Sequence, residues 1–384
     1  MIIRGGNIFT ESGTFQIGTI HIKNNIVHKL DFPETVCEEK EDEIIIDATN
    51  LYVLPGLVDI HTHGAFGADF CDGKKESLET IENYFLKNGI TSVFPATMTL
   101  DEENLEDIFS NASEYVSKFG KGIITGITME GPFISCEKKG AQNERYIKSP
   151  DIELFRKMQK KSGNLIKQVA VAPEKDEDYK FVSEVSKETI VSLAHSGSDY
   201  EKSRKAFENG AKHVTHLFNG MNPFLHREPG IVGAAFDCPE VSVEMICDGV
   251  HLHPAVVRAV FQMFGAERVC MISDSMGATG MSDGEYSLGG QKVIKKGNVA
   301  TLEDGTIAGS VCNLYECFKI ATKEMNIPLE KAVLACTKTP AKSLGMDNKM
   351  GIIKEDRKAD LLLLDQNLNI KYVLKDGKIA VENS

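Results

Sequence analysis

Eight short apolar segments alternate with amphipathic segments through the middle of this chain, and this alternation constrains the fold more than any other feature. Short apolar runs predict buried strands, and apolar residues with a period of about 3.6 predict helices. The predicted strands cover residues 54–61, 91–96, 122–129, 166–172, 189–194, 211–215, 241–247 and 268–272. The predicted helices between them include residues 76–87, 105–119, 151–161, 200–209 and 254–264.

Two folds fit a chain in which strands and helices alternate. Eight such units in roughly 290 residues favour an α/β fold of the (β/α)8 TIM-barrel type. A doubly wound open sheet is the alternative, but it usually carries a glycine-rich phosphate-binding segment after its first strand. In this chain the first predicted strand is followed by His61-Thr62-His63 instead. We therefore predict the barrel.

The two ends of the chain differ from the middle, because they alternate apolar and polar residues and contain hairpin turns. Asn24-Asn25 and Asp376-Gly377 are turn sequences between such segments. Neither end has enough strands to be stable alone. We therefore predict a small β-sandwich domain formed from both termini, residues 1–53 and 346–384, and a catalytic barrel domain over residues 54–345.

Composition excludes several classes of function. The hydrophobic content of 42% is ordinary for a soluble protein, and no apolar run is long enough to span a bilayer. The net charge of −13 argues against nucleic-acid or membrane partners. Nine cysteines without a Cys-x-x-Cys pair indicate reduced thiols, and the N-terminal residues do not resemble a secretion signal. We expect a cytoplasmic protein, in which an anionic substrate would need a local cationic pocket.

Polar residues follow most of the predicted strands. They are His61 and His63 after the first strand, Glu130 after the third, His195 after the fifth, His216 after the sixth, Asp248 after the seventh and Asp274 after the eighth. The carboxyl ends of barrel strands form the active-site face of TIM barrels. Each residue alone could be a turn, a cap or a core histidine. Together they predict a metal centre, because buried imidazoles and carboxylates are costly unless they are paired or bind a cation.

Longer segments allow a family to be named. Seven segments, in order and over the full length of the chain, resemble the N-acetylglucosamine-6-phosphate deacetylases of the amidohydrolase superfamily. They are residues 129–135, 138–141, 216–221, 226–230, 248–251, 273–276 and 305–310. This resemblance implies a TIM barrel that removes the acetyl group from an amino-sugar phosphate. Gln142 departs from the pattern, since some members have histidine there. Other members lack the His-x-His segment and use a single metal, so the resemblance leaves the metal number open.

The resemblance also implies roles for individual residues. Glu130, His195 and His216 would bind one divalent metal, either zinc, iron, manganese or cobalt. His61 and His63 would bind a second metal, with help from Glu130 and Asp274. Asp274 would act as general base and then as general acid. A bound metal activates water and polarises the amide carbonyl, which is the chemistry that amide hydrolysis needs.

The substrate would be a small amino-sugar phosphate bound by a chain that forms a homodimer. The implied substrate-binding residues are Ala141, Gln142, Asn219, Gly220, Arg227, Asp248, His251, Ile307, Ala308 and Gly309. Arg227 and His251 would contact the phosphate, Asp248 would contact sugar hydroxyls, and residues 307–309 would form a loop over the ligand. The competing hypotheses are a different amidohydrolase, such as a cyclic amidase or a deaminase, and a non-catalytic homologue.

Overall fold

The computed structural model describes residues 1–32, 43–120 and 122–383. Within these ranges the strands are β1 (Ile2–Phe9), β2 (Phe15–Lys23), β3 (Ile26–Asp31), β4 (Ile45–Asp47), β5 (Tyr52–Pro55), β6 (Leu57–Thr62), β7 (Gly64–Ala65), β8 (Ala68–Asp69), β9 (Ile90–Pro95), β10 (Ile127–Met129), β11 (Ile166–Val171), β12 (Ile190–Leu193), β13 (His213–Val214), β14 (Ser242–Ile246), β15 (Val269–Ile272), β16 (Gly284–Leu288), β17 (Gln291–Lys296), β18 (Val299–Thr301), β19 (Leu361–Leu364), β20 (Ile370–Lys375) and β21 (Lys378–Glu382).

The helices of the same ranges lie mostly between the strands of the middle region. The α-helices are α1 (Lys75–Lys87), α2 (Glu102–Lys118), α3 (Ile152–Lys161), α4 (Lys180–Val185), α5 (Tyr200–Glu208), α6 (Gly230–Phe236), α7 (Pro254–Phe264), α8 (Leu314–Lys323), α9 (Leu329–Cys336) and α10 (Lys338–Ser343). Short 3-10 helices cover Phe70–Asp72, Cys136–Lys138, Glu144–Tyr146, Pro173–Lys175 and Glu177–Tyr179. No helix in the described part of the chain is long and apolar enough to cross a membrane.

The eight predicted strands form a closed parallel barrel. β6 pairs with β9, and β10 to β15 form a continuous six-stranded parallel sheet. Parallel bridges from Val93 to Ile124 and from Ala96 to Thr128 join β9 and the residue after it to β10 and the segment before it. The backbone N–H of Asp274, just after β15, donates to the carbonyl of His61 on β6 at 3.0 Å, which joins the last strand to the first. The prediction of a (β/α)8 barrel is confirmed.

The first predicted strand is divided in two at Gly56. Residues Tyr52–Pro55 belong to the sheet formed by the termini, and the barrel strand begins at Leu57. A side chain at Gly56 would meet Thr91, because a Cβ there would lie 2.2 Å from the Thr91 Oγ1. Glycine is therefore required where the backbone passes this close to β9.

Aspartates begin several of the barrel helices. The side chains of Asp101, Asp151 and Asp199 accept hydrogen bonds from backbone N–H groups in the first turns of α2, α3 and α5. Such caps satisfy N–H groups that have no partner inside the helix. The predicted helix 105–119 is observed at Glu102–Lys118, because Asp101 sets its start three residues earlier.

The two termini form one mixed sheet of eight strands. Its order is β21-β20-β19-β5-β1-β2-β3, with β4 also paired to β1. β19, from the C-terminal part, runs antiparallel to β5 and pairs Leu362 with Leu54. Ile3, Ile20 and Leu363 are fully buried in the core that the sheet covers. The two ends thus build one β unit as predicted, while the exact domain boundaries stay a prediction.

A small three-stranded sheet, β16-β17-β18, follows the last barrel strand. Its residues Leu288 and Val293 pack with Met98 and Met276 in a separate apolar cluster. Leu288 also lines a cavity at the carboxyl ends of the barrel strands. The small sheet therefore forms part of the wall of the candidate site.

Candidate metal centre and active-site cavity

The barrel brings the six predicted metal and catalytic residues together at the carboxyl ends of its strands. All six are at least nine-tenths buried. His195, His216 and Asp274 have positive φ angles of 43°, 28° and 48°. Such angles are uncommon for residues other than glycine and are enriched at functional sites. The chain therefore turns sharply as it leaves β12, β13 and β15.

Glu130, His195 and His216 form one compact group. The Glu130 Oε1 lies 3.1 Å from the His195 Nε2 and 3.0 Å from the His216 Nε2. The two imidazole Nε2 atoms are 3.2 Å apart. One atom from each residue can therefore bind the same ion, and all three lie within 4.8 Å of one another.

His61, His63 and Asp274 form a second group beside the first. The Asp274 Oδ1 lies 3.2 Å from the His63 Nε2 and 3.7 Å from the His61 Nε2. Glu130 reaches between the groups, with its Oε1 3.5 Å from the His61 Nε2 and its Oε2 3.3 Å from the His63 Nε2. A carboxylate in this position can contribute an oxygen atom to each of the two groups.

The hydrogen bonds of the four histidines orient each Nε2 towards the centre of the cluster. The Nδ1 atoms of His63, His195 and His216 contact the backbone carbonyls of Ala96, Lys138 and Asn219. The Nδ1 of His61 contacts the carboxylate of Glu244. These oxygens can only accept, so every Nδ1 carries the proton and every Nε2 is available to a cation.

The electrostatics of the cluster favour bound positive charge. Burial alone would lower the pKa of His63, but hydrogen bonds with Asp274 and Glu130 outweigh it and raise the pKa to about 9. Burial alone would raise the pKa of Glu130, but the charges of His61 and His195 hold it well below its usual value. A divalent cation supplies this positive charge in place of the Nε2 protons.

One further atom supports a metal at the second group. The His61 Nε2 is fully buried and makes no hydrogen bond within the described residues. An unpartnered buried ring nitrogen is costly, and a cation bound to its lone pair removes that cost. Histidine and carboxylate donors suit zinc, iron, manganese and cobalt alike. The residues present therefore fit a divalent metal.

A cavity of about 280 Å³ opens directly onto the cluster. Seven of the ten predicted substrate-binding residues line it, namely Ala141, Gln142, Asn219, Gly220, His251, Ile307 and Gly309. The other lining residues were not predicted to bind substrate or metal, and they are Met98, Gly140, Leu288 and Thr306. Asp274 lies in its wall with His63, Glu130, His195 and His216, so a bound molecule would contact the ligand groups directly.

Gln142 is held in place from both ends of its amide. Its Oε1 accepts from the Thr99 backbone N–H at 2.6 Å, and its Nε2 donates to the Glu130 Oε2 at 2.7 Å. The amide is buried, with 2% of the residue exposed. In the structure Gln142 therefore orients Glu130 as well as lining the cavity.

Asp248 and Ala308 lie behind the cavity wall. The Asp248 Oδ2 is 2.7 Å from the His251 Nδ1, and its Oδ1 accepts from the backbone N–H groups of Val250 and His251. Asp248 therefore orients His251, which faces the cavity. Ala308 is fully buried and packs with Met98 and Met276.

Arg227 does not join the cavity within a single chain. It is exposed, its Nη1 lies 2.6 Å from the His226 Nε2, and it borders a separate surface depression with Tyr200 and Asp237. The predicted phosphate contact by Arg227 is therefore not formed inside one copy of the chain.

The sequence-based prediction did not include Glu244, which contacts ligands of both groups. Glu244 lies on β14 and is fully buried. Its Oε2 is 3.0 Å from the His61 Nδ1 and accepts from the backbone N–H of His216 at 3.2 Å. The signal that could have identified it is a lone acidic residue inside the apolar run 241–247.

Comparison with known proteins is consistent with this geometry. Residues 52–380 match the model of the amidohydrolase family. The N-acetylglucosamine-6-phosphate deacetylase of Bacillus subtilis is 33% identical over 99% of this chain and 97% of its own length. The N-acetylgalactosamine-6-phosphate deacetylase of Escherichia coli O157:H7 is 26% identical over 99% of both chains.

Solved structures show the same relationship. The N-acetyl-D-glucosamine-6-phosphate deacetylase of Mycobacterium smegmatis superimposes with a TM-score of 0.91, at 29% identity over 99% of this chain and 100% of that one. A variant of that protein was solved in complex with N-acetyl-D-glucosamine 6-phosphate. The chain therefore belongs to the amidohydrolase family and groups there with relatives named N-acetylglucosamine-6-phosphate deacetylase.

Proposed function

We propose that this chain hydrolyses the acetamide of N-acetyl-D-glucosamine 6-phosphate to D-glucosamine 6-phosphate and acetate, in amino-sugar catabolism. The observation that carries the proposal is the pair of ligand groups that share Glu130 at the base of one cavity. Amide hydrolysis needs an activated water, a polarised carbonyl and a proton for the leaving amine. The residues around the cavity are suited to all three.

Each ligand group has its own part in the proposed site. Glu130, His195 and His216 would hold one divalent ion, and His61, His63 and Asp274 a second. A bound ion would lower the pKa of the attacking water and polarise the acetyl carbonyl. The Nδ1 hydrogen bonds of the histidines keep their rings oriented, so little reorganisation is needed on binding.

Asp274 is the proposed catalytic residue. Burial would raise its pKa, but the hydrogen bond with His63 and the charge of His61 outweigh burial and lower it. The carboxylate is therefore ionised at neutral pH and can accept a proton from the attacking water. It then delivers this proton to the amine nitrogen as the C–N bond breaks, which yields acetate and the free amine.

The sugar phosphate would occupy the rest of the cavity. His251 is oriented by Asp248 and can donate to a phosphate or hydroxyl oxygen. Burial would lower the pKa of His251, but the hydrogen bond and charge of Asp248 raise it, which favours the cationic form. Asn219 and Gly220 bring polar backbone groups to the cavity wall, and Ile307 and Gly309 also line the cavity.

We also propose that the chain forms a homodimer in the cytoplasm. The position of Arg227 supports the dimer, because its guanidinium is exposed and does not line the metal-site cavity of its own chain, so it is available to a second copy. All eight cysteines in the described ranges are free thiols, which supports a reducing compartment.

Acetate release from a panel of substrates tests the proposal. We expect release from N-acetylglucosamine 6-phosphate, and a kcat/KM lower by at least on the order of 100-fold for unphosphorylated N-acetylglucosamine, because the cationic groups would lose their partner. N-acetylgalactosamine 6-phosphate measures the tolerance at the sugar C4. Turnover of a cyclic amide or a nucleobase, without acetate release from any amino sugar, would contradict the proposal.

Metal removal tests whether the proposed hydrolysis depends on a bound metal ion. Chelation should abolish acetate release, and separate re-addition of zinc, iron, manganese and cobalt should identify the ion that restores it. Elemental analysis of the purified protein gives the number of ions per chain. Full activity in the chelated protein would contradict a metal-dependent mechanism.

A further inference from the structure

Glu244 is a charged residue in the core of the barrel that belongs to neither ligand group. It accepts four hydrogen bonds. Its Oε1 accepts from the Gln168 Nε2 at 2.7 Å and lies 3.1 Å from the His213 Nε2. Its Oε2 is bound by His61 and by the backbone of His216. A buried carboxylate of this kind is costly to retain, and its oxygens are fully engaged.

The two oxygens of Glu244 contact different sets of residues. The Oε1 contacts the side chains of Gln168 and His213, which do not line the cavity and are not proposed ligands. The Oε2 contacts one residue from each ligand group, through the ring of His61 and the main chain of His216. One carboxylate oxygen therefore connects the two proposed metal sites.

His61 differs from the other three histidines in its Nδ1 partner. His63, His195 and His216 contact neutral backbone carbonyls, whereas His61 contacts an anion. A carboxylate partner fixes the ring orientation and increases the basicity of the opposite nitrogen. That opposite nitrogen is the buried, unpartnered Nε2, which faces Glu130 and Asp274 at 3.5 and 3.7 Å.

We propose that Glu244 is a positioning residue that sets the affinity of the His61–His63–Asp274 group for its metal ion, and so decides whether the chain holds one metal or two. This inference deepens the proposed function and rests on its assignment of two ligand groups. Glu244 acts through His61 and does not touch the substrate cavity. A role confined to holding the barrel strands together would give no selectivity between the two ions.

Glu244→Gln and His213→Gln provide a matched pair of variants. Glu244→Gln keeps the size of the side chain and removes its charge. The amide can still be accommodated, because the His213 Nδ1 and the Gln168 Oε1 have no hydrogen-bond partner within the described residues and both side chains can reorient. His213→Gln changes the same buried cluster but retains an N–H donor towards the Oε1 and leaves the Oε2 contacts intact.

The experiment is a titration with Mn²⁺ of the proteins after their metal has been removed by a chelator. The six-line EPR signal measures the concentration of free Mn²⁺. Elemental analysis at saturation gives the stoichiometry. We expect two ions per wild-type chain. In Glu244→Gln one ion should bind about 10- to 100-fold more weakly, while the other keeps its affinity within about threefold. His213→Gln should match the wild type at both sites.

Three results would overturn the proposal. They are binding of a single ion by the wild-type chain, unchanged affinity for both ions in Glu244→Gln, and equal weakening of the same ion in His213→Gln. If Glu244→Gln does not fold, Glu244→Asp replaces it in the experiment. The shorter side chain keeps the negative charge but moves it away from His61, so we expect the same loss of affinity for one ion.

Acetate release by the wild-type chain separates this inference from the proposed function. A wild-type chain that binds two ions but does not release acetate would overturn the proposed function, and the titration would still decide the role of Glu244. An active wild-type chain with an unaffected Glu244→Gln variant would overturn only this inference.

Discussion

Asp274 combines three properties that a proton carrier needs. It borders the cavity, it contacts His63 at 3.2 Å, and its backbone is anchored on both sides, by the N–H bond to the His61 carbonyl and by the Ser310 N–H that donates to its own carbonyl. A side chain fixed in this way is already placed for proton transfer, and little conformational entropy is lost during the reaction.

Replacement of Asp274 by Asn should therefore remove turnover and spare binding. The amide keeps the shape and one oxygen but cannot accept a proton at neutral pH, so kcat should fall by about 10²- to 10⁴-fold. KM for the sugar phosphate and the ion held by Glu130, His195 and His216 should change little, because neither depends on the Asp274 carboxylate. Acetate release and elemental analysis measure both, and nearly normal kcat would show that another residue carries the proton.

Residues of the ligand cluster could be predicted from the sequence because each directly follows an apolar run. Glu244 could not, since its function depends on contacts with β6 and β13 that only the closed barrel creates. Gln142 was predicted to bind substrate, but the sequence does not show that both ends of its amide are engaged. Partners that are distant in sequence determine these two roles.

Among the elements, different barrel strands supply the proposed metal ligands. β6 and the residue after it supply His61 and His63, while the segments after β12 and β13 supply His195 and His216. The groups can therefore be removed separately, although both share Glu130.

Two double variants should separate the contributions of these strands. His61→Gln with His63→Gln should remove at most one ion and leave measurable acetate release. His195→Gln with His216→Gln should abolish activity, because it removes the imidazoles nearest the Glu130 Oε1. Elemental analysis and acetate release provide the comparison, and full activity without His195 and His216 would reverse the assignment.

Gly56 connects the terminal sheet to the barrel and tolerates no side chain. In Gly56→Ala the new Cβ would overlap Thr91, so the free energy of unfolding should fall by about 1–3 kcal/mol or more. Gly284→Ala is the control, because its Cβ would meet only the Tyr286 ring at 3.7 Å. Urea unfolding of both proteins tests this, and equal stability would contradict the close approach.

The order of strands and helices could be predicted because the spacing of apolar residues along the chain follows directly from which side chains are buried. The division at Gly56 could not, since Leu54–His61 reads as one continuous apolar run. What separates β5 from β6 is pairing with different partners, Leu361–Leu364 for the first and β9 for the second. Such pairings join residues far apart in the chain and leave no local pattern.

At the scale of the whole molecule, the proposed dimer would let a second copy supply a cation to the site. Arg227 is exposed and does not line the metal-site cavity of its own chain. The proposed dimer can be tested by mixing two inactive proteins, Arg227→Ala and Asp274→Asn. A mixed dimer would regain one intact site, formed by Asp274 of the first chain and Arg227 of the second.

Random exchange of equal amounts should restore about a quarter of the wild-type activity, because half of the dimers are mixed and each has one intact site. Size-exclusion chromatography should show a dimer before and after exchange. If a mixture that has exchanged subunits does not regain activity, the phosphate is bound by residues of a single chain.

The terminal sheet also affects how the protein is made. β5 lies between β1, from the beginning of the chain, and β19, which the ribosome adds only after the whole barrel. Until then the edge of β5 has unpaired N–H and C=O groups, and such edges promote association between nascent chains. The Leu361–Leu364 strand closes that edge in the final stage of synthesis. A chain that stops before Leu361 would have all its barrel strands and an unpaired strand edge, so loss of the last 24 residues should reduce solubility before it alters the proposed metal centre.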